Sequence, residues 1–362
     1  MSPDPQRLVT ARPQPCPFRA LHRAVPTESD DRSSLVQDDK AGHKMVTVTG
    51  AFSYTGKYVA RILLERGCRV RTLTGHPGRQ NPFGEAVEVF PYNFDRPDQI
   101  RKSLLGTSTL INTYWVRFPR GESTFGAAVR NTRTLIEAAK DAGVVRIVHV
   151  SIANPSADSP LGYYRGKAEL EQAVTDSGLS YTIVRPTVIF GPEDILINNI
   201  AWFVRRFPGF GIPGDGLYRI RPIYVEDMAR LMTDAVDARG NAVIDAVGPE
   251  TYTFEELVRL IGRSMGRSVH LVHVPTTLAY VVTLVTGWSV GDVVLTWEEY
   301  RGLMGNLLAP EGPASGKTRL SEWLAAHKEF VGVRYASEVA RHYAAASTES
   351  QLPWAKAVRK RP

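Results

Sequence analysis

The segment Met45-Val46-Thr47-Val48-Thr49-Gly50-Ala51-Phe52-Ser53-Tyr54-Thr55-Gly56, with the run from Lys57 to Gly67 behind it, restricts the possible folds of this chain more than any other stretch. A β-branched run meets a glycine turn, and the turn opens into a helix with apolar Val59, Ile62 and Leu63 at i, i+3 and i+4. Gly67 stops that helix, and Arg69-Val70-Arg71-Thr72-Leu73 starts a second strand. Such a strand–turn–helix–strand unit presents free N–H groups and the positive end of a helix dipole to an anion. It predicts a nucleotide pyrophosphate at the turn.

The glycine pattern is Gly50-x-x-Ser53-x-x-Gly56, with serine where the middle glycine of the fingerprint usually stands. The first glycine allows the tight turn and the last lets helix and strand pack closely. Serine narrows the approach of backbone to phosphate, although its hydroxyl can itself bond a phosphate oxygen. Gly50, Ala51, Phe52, Ser53, Tyr54, Thr55 and Gly56 form the expected cradle, against the plainer reading of an ordinary strand–helix turn with no ligand.

The end of the second strand bears on which nucleotide binds. An NAD-preferring unit places Asp or Glu there to hold the ribose 2′-hydroxyl. Here Thr74 occupies that place, with His76 and Arg79 following, so lost negative charge and added cationic groups favour NADP(H), with NAD(H) as the alternative. Val87-Glu88-Val89-Phe90 reads as a third strand, and the loop with Asn93 and Phe94 is expected against the adenine. Thr109 to Tyr114 reads as a fourth strand, putting Thr113 and Tyr114 at the cofactor crevice. A helix over 124–142, a fifth strand over 144–151 ending in Ser151, and a sixth over 181–190 continue the alternation. The fold class is α/β: a doubly wound parallel sheet (Rossmann) with a smaller, mostly helical C-terminal domain.

After the fifth strand, Tyr163-Tyr164-Arg165-Gly166-Lys167 leads into a helix. Tyr163 and Lys167 are four apart and project from one helical face. A nearby ammonium lowers a phenol's pKa, so the pair could move a proton at a carbonyl or alcohol during hydride transfer, with Lys167 also on the ribose. By spacing alone an ordinary surface pair is the favoured reading, whereas the position after the fifth strand, in a chain that opens with the glycine turn, favours chemistry or cofactor binding; Tyr164 competes with Tyr163. Asp227, near the start of a later helix, reads as a cap, and Thr253-Phe254-Glu255-Glu256 as a capping box. No metal-ligand cluster or Ser–His–Asp arrangement stands out.

The formal net charge of +7 over 362 residues is mild and partly sits in the basic end 346–362, so nucleic acid is not an expected partner. Two cysteines, Cys16 and Cys68, fit a reducing compartment without disulfides. Residues 1–44, rich in Pro, Ser, Asp and Arg, read as a disordered tail without a secretory core. No apolar run of about 18 residues exists to span a membrane, and Leu278 to Trp288 reads first as a buried helix, second as one resting on a membrane. The expected location is cytoplasmic, with peripheral membrane contact as an option. The expected layout is 45–190 with 220–250 for the nucleotide-binding domain and 191–219 with 251–345 for a substrate or partner domain.

The ordered set TGAFSYTG from Thr49, YYRGK from Tyr163, VRPTVIFGP from Val184 and IYVEDMA from Ile223 resembles an extended or atypical short-chain dehydrogenase/reductase. The closest group is the one holding the nucleotide-binding accessory subunit of respiratory complex I, with NmrA-like proteins as neighbours. The resemblance implies that Tyr163 and Lys167 match the family's YxxxK pair and that Pro186 and Thr187 line the nicotinamide side. It also exposes a departure: Ala153 stands where a third catalytic hydroxyl is expected, with Ser151 nearby. Two functions follow as expectations. One is an NADP(H)-dependent oxidoreductase acting on a small or lipophilic carbonyl, alcohol or quinone. The other is a non-catalytic nucleotide-binding protein whose C-terminal domain docks a partner or membrane surface.

Overall fold

The computed structural model describes residues 44–343, so the tails over 1–43 and 346–362, Cys16 included, lie outside the described residues. In chain order the first half runs β1 (Met45–Thr49), α1 (Tyr54–Glu65), β2 (Arg69–Thr74), β3 (Val87–Pro91), α2 (Pro97–Leu104), β4 (Thr109–Asn112), α3 (Phe125–Asp141), β5 (Arg146–Val150), α4 (Gly162–Thr175) and β6 (Ser180–Pro186). The second half runs β7 (Ile189–Phe190), α5 (Leu196–Arg206), β8 (Gly209–Pro213), β9 (Arg219–Ile220), β10 (Ile223–Tyr224), α6 (Val225–Asp234), β11 (Ala242–Ala246), β12 (Tyr252–Thr253) and α7 (Phe254–Ser264). It closes with β13 (His270–Val274), α8 (Thr276–Val290), α9 (Trp297–Met304), α10 (Leu320–His327) and α11 (Glu338–Tyr343).

The main sheet has seven strands in the order β11-β6-β5-β4-β1-β2-β3, and every pairing in it is parallel. The order reverses between β2 and β4 on either side of β1, and that switch point is where doubly wound sheets bind ligands. All five residues of β1 are buried, as expected of a strand covered on both faces. Helices α1 and α6 share one apolar core with β1 on one face, while residues of α2, α3 and α4 build another on the opposite face.

The local signals work as their chemistry predicts. Ser53 caps α1 by accepting from the Gly56 amide at 3.3 Å. At the other end Gly67 has φ +76°, and the Gly67 and Cys68 amides bond the Leu64 and Leu63 carbonyls, a Schellman stop. Thr253 and Glu256 form the capping box of α7. Two boundaries differ from the sequence expectation. β4 ends at Asn112 because the Thr113 and Tyr114 amides turn onto the Thr49 hydroxyl. β6 ends at Pro186, and Ile189–Phe190 pairs separately with β10.

A third core, around Phe190, Ile200, Ile212, Leu257 and Trp323, belongs to the largely helical C-terminal part. Helix α8 corrects the expectation of a buried segment: within it only Ala279 and Gly287 are buried. Its aliphatic residues face outward, and Trp288 is 88% exposed. Among the described residues no helix is long and apolar enough to cross a membrane.

Candidate active site

The glycine turn lies at the carboxyl end of β1. Gly50 has φ +67°, a conformation glycine adopts without steric cost, and its amide donates to Leu73 of β2 at 2.8 Å. A Cβ on Gly56 would sit 2.0 Å from the Gly50 carbonyl oxygen, so only glycine lets α1 start this close to β1. Among the described residues, no acceptor meets the amides of Tyr54 and Thr55. The first turn of α1 holds no acidic residue. Two open N–H groups at a helix start fit a pyrophosphate, and the nearby Glu193 carboxylate is paired with Lys57 and Tyr58 at 3.0 Å each. Ser53 is committed to its capping bond and leaves the approach open.

On one side of the cradle, Thr74 is buried and its hydroxyl accepts from the His76 amide at 3.1 Å, so it shapes the loop. Arg79 bonds the C-terminal helix α11, its Nη2 donating to the Arg341 carbonyl at 3.0 Å. Asn93 has φ +47° and donates to Gln99 at 2.7 Å. Phe94 joins Tyr92 and Tyr114 in a ring cluster with centroids 4.8–5.0 Å apart. On the other side, Thr113 donates to the Thr49 carbonyl at 2.5 Å, tying β4 to β1. Thr187 donates to the Arg221 carbonyl at 2.5 Å, and the Pro186 carbonyl accepts from Ala153 at 2.9 Å.

Helix α4 carries Tyr163 and Lys167, one turn apart. Tyr163 stands edge-on to Trp115 and Phe125 at 5.5 and 5.7 Å, and burial raises its pKa. Lys167 meets the same Trp115 ring from the next turn. Its Nζ donates to the Val150 carbonyl at 2.8 Å and lies 4.5 Å from the centre of the Trp115 ring. Burial pulls its pKa down to about 7. The structure therefore corrects one expectation: burial dominates at both groups, and Lys167 does not lower the Tyr163 pKa. Tyr164 is buried with its hydroxyl against Gly302 of α9, where a Cβ would come within 2.4 Å. Packing occupies it, while the Tyr163 ring lies against Trp115 and Phe125.

Beneath the pair, His149 of β5 takes a hydrogen bond on Nδ1 from Asn112 at 3.0 Å, and burial lowers its pKa to about 3, so it stays neutral. Its Nε2, the Ser151 hydroxyl and the Trp115 indole N–H are buried without a partner among the described residues. Buried polar groups normally have a partner, so these three have room to bond a water or a ligand. Ser151 thus keeps a free hydroxyl at the strand end while Ala153 is wholly buried.

Several contributors were not read from the sequence. Trp115 caps Lys167, and a Cβ on Gly166 would lie 2.9 Å from it. A glycine inside a helix costs about 1 kcal/mol against alanine, and that unexplained residue was the available signal. Glu298 of α9 accepts from the Gly162 and Tyr163 amides at 3.0 and 2.7 Å, capping α4 from a distant element. Arg117 pairs with Glu299 at 2.5 Å and Glu338 at 3.4 Å. Asp227 is not the cap of its own helix: its Oδ2 accepts from the Lys317 and Thr318 amides at 2.8 and 2.7 Å.

A family model described as NAD(P)H-binding matches residues 50–195. The alpha subcomplex subunit 9 of mitochondrial NADH dehydrogenase (ubiquinone) from Arabidopsis thaliana is 26% identical over 228 residues, 60% of this chain and 57% of that protein. Residues 50–195 thus match an NAD(P)H-binding domain, and the chain is similar to this complex I subunit without being shown to share its role. A ceramide reductase of Caulobacter vibrioides is 27% identical over 251 residues, covering 68% of this chain and 78% of that protein. In fold, the chain resembles a nucleoside-diphosphate-sugar epimerase from Staphylococcus aureus, with a TM-score of 0.63 and 17% identity over 77% of this chain and 99% of that one. The match spans under two thirds of the Arabidopsis subunit's own length. The aligned NAD(P)H-binding region starts at Gly50 and takes in the cradle, Tyr163 and Lys167.

Proposed function

We propose that this protein is an NADP(H)-dependent oxidoreductase that reduces a lipophilic carbonyl compound or quinone. The observation that supports the reading is the open amide turn at the carboxyl end of β1, together with the Tyr163 phenol packed on Trp115, which follows the neighbouring strand β4. The Gly50–Gly56 turn would hold the pyrophosphate and Arg79 the 2′-phosphate, with Phe94 and Tyr114 toward the adenosine. Ser151, Lys167, Pro186 and Thr187 would border the nicotinamide end. A bound nicotinamide supplies hydride.

Tyr163, with its pKa raised by burial, keeps its proton at neutral pH. It therefore suits giving that proton from Oη to a carbonyl oxygen under reduction better than taking one from an alcohol. Lys167 serves the ribose if its ammonium leaves the Val150 carbonyl. Support for a lipophilic substrate comes from the named activity of the ceramide reductase relative. Residues 45–190 with 220–250 form the cofactor domain on this reading.

A second reading rests on α8. Leu278, Val281, Val282, Leu284, Val285 and Trp288 give it an uncharged, exposed apolar surface, which suits docking to a partner or a membrane face. The complex I subunit among the relatives makes a protein assembly a reasonable setting, and the nucleotide would then be a structural ligand.

The test is to denature the purified protein, identify any released nucleotide, and titrate the empty protein with NADPH and NADH. A carbonyl and quinone screen follows, comparing the protein with Tyr163→Phe. NADPH consumption that drops at least tenfold in Tyr163→Phe is the expected result. Equal turnover in both proteins sinks the catalytic assignment, and a stoichiometric nucleotide that never exchanges favours the second reading.

A further inference from the structure

The C-terminal strap from Val331 to Tyr343 crosses the loops that would surround the nucleotide. Its anchors lie on the C-terminal part. Arg205 donates from Nε to the Val331 carbonyl at 2.8 Å. Asn198 accepts from the Gly332 amide at 3.2 Å, and a Cβ on Gly332 would fall 2.5 Å from Ala201. Asn199 bonds both polar groups of the Ala336 backbone, at 3.0 and 2.8 Å. Buried Asp292 then starts α11, accepting from the Glu338 and Val339 amides at 3.0 and 2.9 Å and from the Tyr335 hydroxyl at 3.1 Å.

From these anchors α11 makes contacts with the segments that follow three adjacent strands, β4, β1 and β2. At β1, the Arg341 guanidinium lies 5.4 Å from the ring of Tyr54, the first residue of α1. It also donates to the Glu193 carbonyl. At β2, Arg79 donates to the Arg341 carbonyl at 3.0 Å. At β4, Glu338 pairs with Arg117 at 3.4 Å. These loops enclose the mouth of the crevice at the topological switch point, where a dinucleotide in this fold lies. A ligand on the Gly50–Gly56 cradle would therefore lie beside α11, whose Arg341 already rests on the Tyr54 ring.

From this geometry we infer that α11 is a latch on the nucleotide site, so that cofactor release requires Arg79 and Arg341 to give up their bonds across the cleft. The inference rests on the nucleotide reading above and adds a consequence for exchange. Arg79 has N–H groups beyond the Nη2 spent on α11, so the strap also holds its guanidinium in one place, ready for a 2′-phosphate. Linkage makes the effect reciprocal: a ligand retained by the latch stabilises the latched state.

The experiment uses the full chain loaded with NADPH, with fluorescence reporting its displacement by excess NADP⁺. Arg341→Ala removes the Tyr54 and Glu193 contacts and should release NADPH about tenfold faster, with the change in the dissociation rate. Hydrogen exchange of the unaltered protein gives an independent reading: amides of 332–341 should exchange several-fold more slowly with NADPH than without it. Equal release from both proteins, with strap exchange indifferent to NADPH, overturns the latch and leaves nucleotide binding intact. If neither protein binds NADPH, the functional reading itself falls, and the latch with it.

Discussion

Lys167 offers a pH test whose size follows from the structure. Its side chain is 2% exposed, and burial holds its pKa at about 7, whereas an unfolded lysine titrates near ~10.4. Between those values the unfolded chain binds a proton that the folded protein refuses, so this group makes stability rise with pH. Below about 7 the folded protein also takes the proton, and the penalty levels off. Going from pH ~7 to pH ~9, this single site should add about 2 kcal/mol to the unfolding free energy. Lys167→Met keeps the length of the side chain and cannot titrate. Its lost bond to the Val150 carbonyl is a constant offset, and other groups that titrate in the window cancel in the comparison. Urea melts of both proteins at several pH values should show curves whose separation changes by about 2 kcal/mol across the window. Parallel curves would mean that Lys167 is solvated or charge-paired in solution, and the capped ammonium under Trp115 would be wrong.

Three other perturbations test separate parts of the site. Gly56→Ala pushes a methyl group into the Gly50 carbonyl and should weaken NADPH binding at least tenfold in calorimetric titration, with overpacking costing about 1–3 kcal/mol of stability. Arg117→Ala leaves the buried Glu338 carboxylate without its guanidinium and should cost about 3–5 kcal/mol by denaturant unfolding; a loss below about 1 kcal/mol would place the cluster among surface pairs. Arg79→Ala should lower NADPH affinity about tenfold more than NADH affinity, because loss of its bond to α11 acts on both nucleotides, and an equal effect on both would remove the 2′-phosphate role.

The sheet was legible because its signals are local. The β1–α1–β2 unit, the Gly67 stop and the Thr253 capping box each depend on a few neighbouring residues, and the alternation of strands and helices followed from periodicity. What escaped depends on contacts between distant segments. Tyr163 and Lys167 were placed on one helical face correctly as geometry, yet their electrostatics depend on Trp115, 52 residues upstream of Lys167 on a different strand end. Asp227 looked like a helix cap because acid near a helix start usually is one, and the competing amides of Lys317 and Thr318 lie 90 and 91 residues away. Helix α8 looked buried because apolar content alone does not say whether a partner surface exists to cover it.

These distant contacts share a direction. Carboxylates of the C-terminal third reach back to the loops that carry the candidate chemistry: Glu298 caps α4 at Tyr163, Glu299 and Glu338 hold Arg117 beside Trp115, and Asp292 starts the strap that meets Arg79. The Rossmann half supplies a binding cradle from its own backbone, with no help from that third. The orientation of Tyr163 and the closure over the cradle, by contrast, depend on ionic and hydrogen-bonded contacts made across more than a hundred residues of chain. A relative could therefore keep the cradle and its nucleotide while losing the chemistry through changes confined to the C-terminal helices. Within one fold, the boundary between a reductase and a nucleotide-holding subunit can lie in residues such as Glu298 and Glu338, far in sequence from the glycine turn.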